Sequence, residues 1–273
     1  MVLFNNKYKK FICIIMCLVC MCVTVSCGRS ETPVQTEEYD GTIEIGFTFD
    51  SFIIERWERD RDVFVSRAHE LGAEVNVQNA NGDVEAQISQ IEYFIEKKVN
   101  AIVIVAVDCT ALSNVIAKAH RAGIRVISYD RMISDANTDL FISFDNYEVG
   151  SLMAGSIVSQ IGRNGSIIMI NGPLTDTNVP AVIEGFEQGL KPGGSGIAAV
   201  YHCNGWRAEY AFDYVNRYLA EHPDDVPDAI MCGNDSLAGQ AIKALSEHKL
   251  AGDVVVTGQD ADLDACQRIV EGT

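Results

Sequence analysis

Residues 101–131 read AIVIVAVDCTALSNVIAKAHRAGIRVISYDR. The run 101–105 is apolar and mostly β-branched, 125–129 is similarly β-rich, and an amphipathic helical stretch, 110–122, lies between them. A strand without polar alternation is covered on both faces, and two such strands separated by one helix make a βαβ unit with parallel strands. The same alternation extends outward. Upstream are β-rich runs at 43–47 and 74–78, followed by helical stretches at 57–71 and 84–97; downstream are a run at 140–144 and a helix at 147–161. Further runs follow at 166–170, 198–202, 229–232 and 254–257, separated by helices near 178–190, 207–221, 236–248 and 262–271. The pattern predicts an α/β fold with right-handed crossovers. Residues 141–146 (FISFDN) run straight into a helix, after which a second set of repeats begins. This predicts two doubly wound parallel-sheet lobes, 42–146 and 147–273, joined near Asp145 and Asn146. Ligands of such sheets bind beyond the carboxyl ends of the strands, so facing lobes put one ligand cleft between them.

The 273 residues carry 21 Lys+Arg against 38 Asp+Glu, a formal charge of −17, with 48% hydrophobic residues and 6 Pro. That is the make-up of a globular chain, not of a disordered or fibrous one. The acidic balance argues against nucleic acid, whose phosphates need clustered Lys and Arg, and against docking on anionic lipid through a basic face. The basic residues of the amino terminus stand apart from this balance. Met1 to Lys10 holds Lys7, Lys9 and Lys10 and no acid, 11–25 is almost wholly apolar, and Ser26 and Cys27 follow. A basic start, an apolar stretch of about 15 residues and a small residue before the cut read as an export signal, too short for a spanning helix of roughly 20 residues. A Cys at the cut makes 1–26 look like a lipoprotein signal peptide, with Cys27 as the lipid attachment site. Thr24 stands where that motif usually has Leu, and the alternative is a plain secretory signal cut near the same place. Residues 27–41, polar, acidic and aperiodic, read as a tether. Without residues 1–26 the charge is −20.

Four cysteines lie beyond the leader, Cys109, Cys203, Cys232 and Cys266, with no CxxC or metal-ligand spacing. Each lies in or beside an apolar run, so they read as buried free thiols.

Polar and aromatic residues collect where strands hand over to helices. Asp50, Ser51, Glu55, Arg56 and Trp57 follow the first run, Asp130 and Arg131 the fourth, and Asp145 and Asn146 the fifth. In the second half come Asp176 and Asn178, then Asn204 to Trp206, then Asn234 and Asp235, then Gln259 and Asp260. Such a ring suits a sugar: indoles offer flat faces to C–H surfaces, and carboxylates, guanidinium and amides pair with hydroxyls. The duller reading is that Asp50, Asp176, Asn234 and Asp260 are helix N-caps and the two Trp are core anchors.

Other chemistries fail on context. Gly194-Ser195-Gly196 precedes a strand instead of linking strand to helix, so it is no dinucleotide fingerprint, and there is no phosphate-binding GxxxxGK[ST] and no GxSxG. The five His show neither ligand spacing nor a partnered nucleophile. Asp260, Asp262, Asp264 and Glu271 fall at calcium-loop positions, but Ala265 stands where the loop needs Gly. The residues therefore point to a binding protein, not an enzyme, with no cofactor and no metal.

The strings ERWERDRD (55–62), VQNANGDVEAQISQIE (77–92), SYDRMISDANTDLFISFDN (128–146), GNDSLAGQAIKALS (233–246) and GQDADLDACQRI (258–269) resemble the type I periplasmic sugar-binding proteins of ABC transporters, and within them the D-xylose-binding branch. The likeness runs from about Thr42 to Thr273. It implies a ligand-binding set of Arg56, Trp57, Asp130, Arg131, Asn146, Asn178, Trp206, Asn234 and Asp260, with a pentose-sized sugar stacked between the two indoles. It also implies an extracytoplasmic, monomeric, lipid-anchored protein that delivers D-xylose or a close aldopentose to an ABC permease; presentation of the loaded form to a chemoreceptor or histidine kinase is the alternative. In that family the chain continues past the equivalent of Glu271-Gly272-Thr273 with a Lys-bearing strand and a return to the first lobe, so a truncated sequence lacking its C-terminal return segment is the expectation here.

Overall fold

A computed structural model describes residues 41–272; the proposed signal peptide (1–26), Cys27 and nearly all of the 27–41 tether lie outside the described residues. Strands and helices alternate as β1 (Ile43–Phe49), α1 (Arg56–Glu70), β2 (Ala73–Asn79), α2 (Val84–Lys97), β3 (Ala101–Ile104), α3 (Ser113–Arg121), β4 (Arg125–Tyr129) and β5 (Leu140–Ile142). There follow α4 (Asn146–Ile161), β6 (Ser166–Asn171), α5 (Asn178–Leu190), β7 (Gly196–His202), α6 (Glu209–Glu221), β8 (Ala229–Cys232), α7 (Asp235–Glu247), β9 (Val255–Thr257) and α8 (Leu263–Glu271). The first five strands form one sheet in the order β2-β1-β3-β4-β5, the last four a second in the order β7-β6-β8-β9. Every pairing in both sheets is parallel. The chain thus adopts the expected pair of parallel-sheet α/β lobes, and within each sheet all strand carboxyl ends lie along one edge.

The apolar runs explain the sheets. Ile102, Val103 and Ile104 of β3 and all four residues of β8 are buried, because helices cover both faces of each sheet. Ile91 and Phe94 of α2 join Val115 and Ile116 of α3 against one face of the first sheet. In the second, Met153 and Ile157 of α4 and Phe186 of α5 cover Ile167 and Met169. Helices α4 and α5 cross closely enough that a Cβ on Gly150 would lie 2.0 Å from the Val182 carbonyl oxygen, and one on Gly185 1.9 Å from that of Tyr147.

The boundaries depart from sequence expectation in three places. Helix α3 begins at Ser113 instead of near 110, since the Asp108 carboxylate accepts the Thr110 N–H at 2.8 Å and holds a turn there. Helix α6 begins at Glu209, because Asn204–Trp206 forms a short 3₁₀ turn with Gly205 and Trp206 both at positive φ. Strand β5 stops at Ile142; it is the sheet edge, and its three residues are exposed. A fourth correction concerns Cys266: Cys109, Cys203 and Cys232 are buried, but Cys266 is exposed. It lies on α8, which buries none of its residues and exposes Leu263, Ile269 and Val270. Residues 263–271 being helix, the Asp260-to-Glu271 spacing is not a calcium loop.

Candidate ligand-binding cleft

The loops after the strand ends of both lobes meet around one cleft. All nine residues of the expected set line it, together with Asn171, Asp176 and Gln259. It contains about 440 Å³ of space, counting the part open to solvent.

From the first lobe, Arg56 opens α1 and Trp57 follows it, the indole 1% exposed. The Arg56 guanidinium sits 4.1 Å from the Trp57 ring centroid and that of Arg131 5.7 Å away, so two cations flank one indole. Asp130 and Arg131 follow β4. The Asp130 backbone is left-handed (φ 66), which turns its carboxylate to the cleft, where it accepts from Arg56 Nη2 at 2.6 Å and from Asn178 Nδ2 of the other lobe at 2.8 Å. Arg131 is 2% exposed and pairs with Asp50 at 2.8 Å and, across the lobes, with Asp176 at 2.6 Å, while donating to the Ala106 carbonyl at 2.7 Å. Burial alone would lower its basicity, but the carboxylates of Asp176, Asp50 and Asp130 override it and hold the guanidinium above its ordinary range. Burial pushes the Asp50 carboxyl up, Arg131 notwithstanding.

From the second lobe, Trp206 lies against the backbone of two strand ends. A Cβ on Gly172 would fall 2.2 Å from the indole and one on Gly233 3.2 Å, so both positions are open only to glycine without moving the ring. The indole Nε1 donates to Asp176 Oδ2 at 3.1 Å, which ties the ring to the carboxylate that Arg131 also holds. Asn234 caps α7, its Oδ1 accepting the Leu237 N–H at 2.9 Å. Asp260, after β9, has φ 104 and pairs with Arg56 Nε at 3.4 Å. Burial, reinforced by Asp262, Asp235 and Asp130, raises its carboxyl to about 6 despite Arg56. Asp130, Trp206 and Asp260 all hold positive φ, and strain of this kind concentrates where side chains must be aimed.

The N-cap reading therefore applies in part. Asn234 is a cap and lines the cleft as well, and Asp176 Oδ1 accepts the Asn178 N–H at 2.9 Å at the start of α5. Asp50 and Asp260 cap nothing, since α1 and α8 begin after Glu55 and Asp262. Three polar lining residues fall outside the nine, Asn171, Asp176 and Gln259, the last two already among the strand-end residues read from the sequence. Asn171 ends the apolar run of β6 and Gln259 directly precedes Asp260, so the rule that picked out strand ends applied to both.

Several buried polar atoms of the lining have no hydrogen-bond partner: Trp57 Nε1, Asn146 Oδ1, Asn171 Nδ2, Asn234 Nδ2 and Gln259 Oε1. An unpaired buried polar group costs about 1–3 kcal/mol, so such a concentration in one cleft marks groups reserved for a ligand. Three of these atoms are donors and two are acceptors, and the charged lining sets Asp130, Asp176 and Asp260 against Arg56 and Arg131. No surplus of positive charge is left for a phosphate or a sugar acid. The arrangement fits a neutral ligand rich in groups that both donate and accept.

The sequence profile of the periplasmic binding protein domain matches residues 45–273. The chain belongs to the periplasmic binding protein family. It is 40% identical over 246 residues to the D-xylose-binding periplasmic protein of Haemophilus influenzae, covering 89% of this chain and 74% of that one. To the D-xylose-binding periplasmic protein of Escherichia coli K12 it is 40% identical over 235 residues, 85% and 71% of the two chains. Among solved structures it is similar to an ABC transporter solute-binding protein from Clostridium phytofermentans with bound β-D-glucose (TM-score 0.77, 27% identity, 84% of this chain and 76% of that one). These relatives are binding proteins, in line with the expectation from the residues that this chain is not an enzyme.

Proposed function

We propose that this protein is the extracytoplasmic sugar-binding component of an ABC importer, taking D-xylose or a close aldopentose and handing it to a membrane permease. The observation that carries the reading is the interlobe cleft, lined by two indoles and by residues that carry five unpaired buried polar atoms. The names of the relatives narrow the ligand to xylose. In this account Trp57 and Trp206 lie against the two faces of the pyranose. Arg56, Asp130, Arg131, Asn146, Asn178, Asn234 and Asp260 bond its hydroxyls, joined by Asn171 and Gln259. No covalent step is involved. The lobes, 42–146 and 147–273, close on the sugar by a hinge near Asn146, and the closed form is what a permease recognises. The protein works as a monomer held at the membrane by a lipid on Cys27.

The test is a fluorescence titration of the two tryptophans against neutral aldopentoses, aldohexoses, a pentose phosphate and a sugar acid. Saturable binding should appear with D-xylose or a near epimer and not with the anions, because a missing or misplaced hydroxyl leaves a buried partner unpaired and an anion meets a net-negative lining. Anion binding in preference to neutral sugars would overturn the reading.

A further inference from the structure

One cation of the interlobe seam takes no part in the cleft. Arg59 lies one helical turn beyond Arg56 on α1 but is not among the lining residues. It reaches across to the turn between β9 and α8, where its Nη2 stands 3.1 Å from the Asp260 carbonyl oxygen, 3.5 Å from that of Ala261 and 3.7 Å from Asp262 Oδ1. Glu55, one turn back, holds the other end of the guanidinium at 2.7 Å. The receiving turn is shaped for this contact. Asp260 and Ala261 are consecutive non-glycine residues at φ 104 and 55, a strained pair that points both carbonyls toward α1. Asp262 Oδ1 is buried without a hydrogen-bond partner, and burial raises the carboxyls of Asp235, Asp260 and Asp262, each of them pushed further by an acidic neighbour. An acidic, strained turn on one lobe therefore meets two arginines from the other. Arg56 is committed to the cleft, and Arg59 is free of it.

We propose that Arg59 and the turn Gln259–Asp262 form an interlobe latch that holds the closed cleft over its sugar, so that Arg59 sets how fast the ligand leaves without touching it. The inference rests on the proposed sugar-binding function. Its contacts exist only with the lobes together, so losing them destabilises the closed state alone and shortens its lifetime. The Arg59 side chain is 45% exposed, which keeps the effect modest.

Stopped-flow tryptophan fluorescence of the Arg59→Ala protein with D-xylose should show release faster by about three- to tenfold, the range of one partly exposed charge-assisted contact. Association should be unchanged, the circular dichroism should match that of the unmodified protein, and Arg59→Lys should recover part of the lifetime. Unchanged release, or a slower association that accounts for the whole effect, would overturn the latch. Should the unmodified protein respond to no sugar, the functional reading falls by itself. Small-angle scattering of the sugar-free chains then decides the latch: Arg59→Ala must be the more open of the two, and equal radii of gyration refute it.

Discussion

Asp260→Asn is expected to make the sugar-free protein more stable at neutral pH while weakening its grip on sugar. The folded carboxyl titrates at about 6 against 3.8 for the free side chain, with burial as the main cause. The folded state thus holds the proton more tightly than the unfolded chain does. Stability from this group is fully present below pH 3.8, falls as pH rises toward 6, and stays lost above that. A rise of this size at 1.36 kcal/mol per unit amounts to about 3 kcal/mol. Asparagine keeps the shape and cannot ionise, so at pH 7.5 the variant should gain up to about 3 kcal/mol, or about 6–12 °C in melting temperature for a domain pair of this size. At pH 3.5 the two proteins should melt together. Sugar affinity should fall by about 10- to 100-fold, the loss of a charged acceptor worth roughly 1.5–3 kcal/mol. Thermal unfolding across this pH range, with a sugar titration at pH 7.5, measures both. A variant less stable at pH 7.5, or one stabilised equally at both pH values, would refute the view that the carboxylate is held ionised against its surroundings for the ligand.

Other perturbations probe separate parts of the cleft. Gly172→Ala puts a Cβ 2.2 Å from the Trp206 ring, so the indole must shift; binding should drop at least tenfold with the strands intact by circular dichroism. Arg131→Met strands the buried carboxylates of Asp50 and Asp176, which should cost about 3–5 kcal/mol at pH 7 by chemical denaturation and less at pH 4, where Asp50 is readily protonated. Of Cys109, Cys203, Cys232 and Cys266, only Cys266 should react with a thiol reagent in the native protein. The other three are buried, and burial raises each of their thiols, that of Cys203 to about 12.

The sheets were legible because parallel strands covered on both faces leave apolar runs such as AIVI and AIMC, with helices between them. Element ends were less so. The turn at Asp108–Thr110 and the 3₁₀ turn at Trp206 depend on side-chain bonds and positive φ that hydrophobic periodicity does not record. The rule that cleft residues follow strands brought together Asp130, Asn234 and Asp260 from distant positions, and it applied equally to Asn171. That residue went unread because it closes an apolar run without an adjacent charged or aromatic residue to draw attention. Pairings across the lobes, Arg131 with Asp176 and Arg59 with the 260–262 turn, needed the lobes' relative position, which no local pattern encodes. Cys266 looked buried because it lies beside an apolar run, yet α8 buries none of its residues and among the described residues nothing covers its apolar face.

A crystal structure of the protein grown with D-xylose tests the central claim most directly. One pyranose is expected between Trp57 and Trp206, with hydroxyls within hydrogen-bond distance of Asp130, Asp260 and the now-unpaired amides of Asn146, Asn171, Asn234 and Gln259. Sugar density elsewhere on the molecule, or an interlobe cleft that closes to the same geometry with those amides still unpaired, would contradict it.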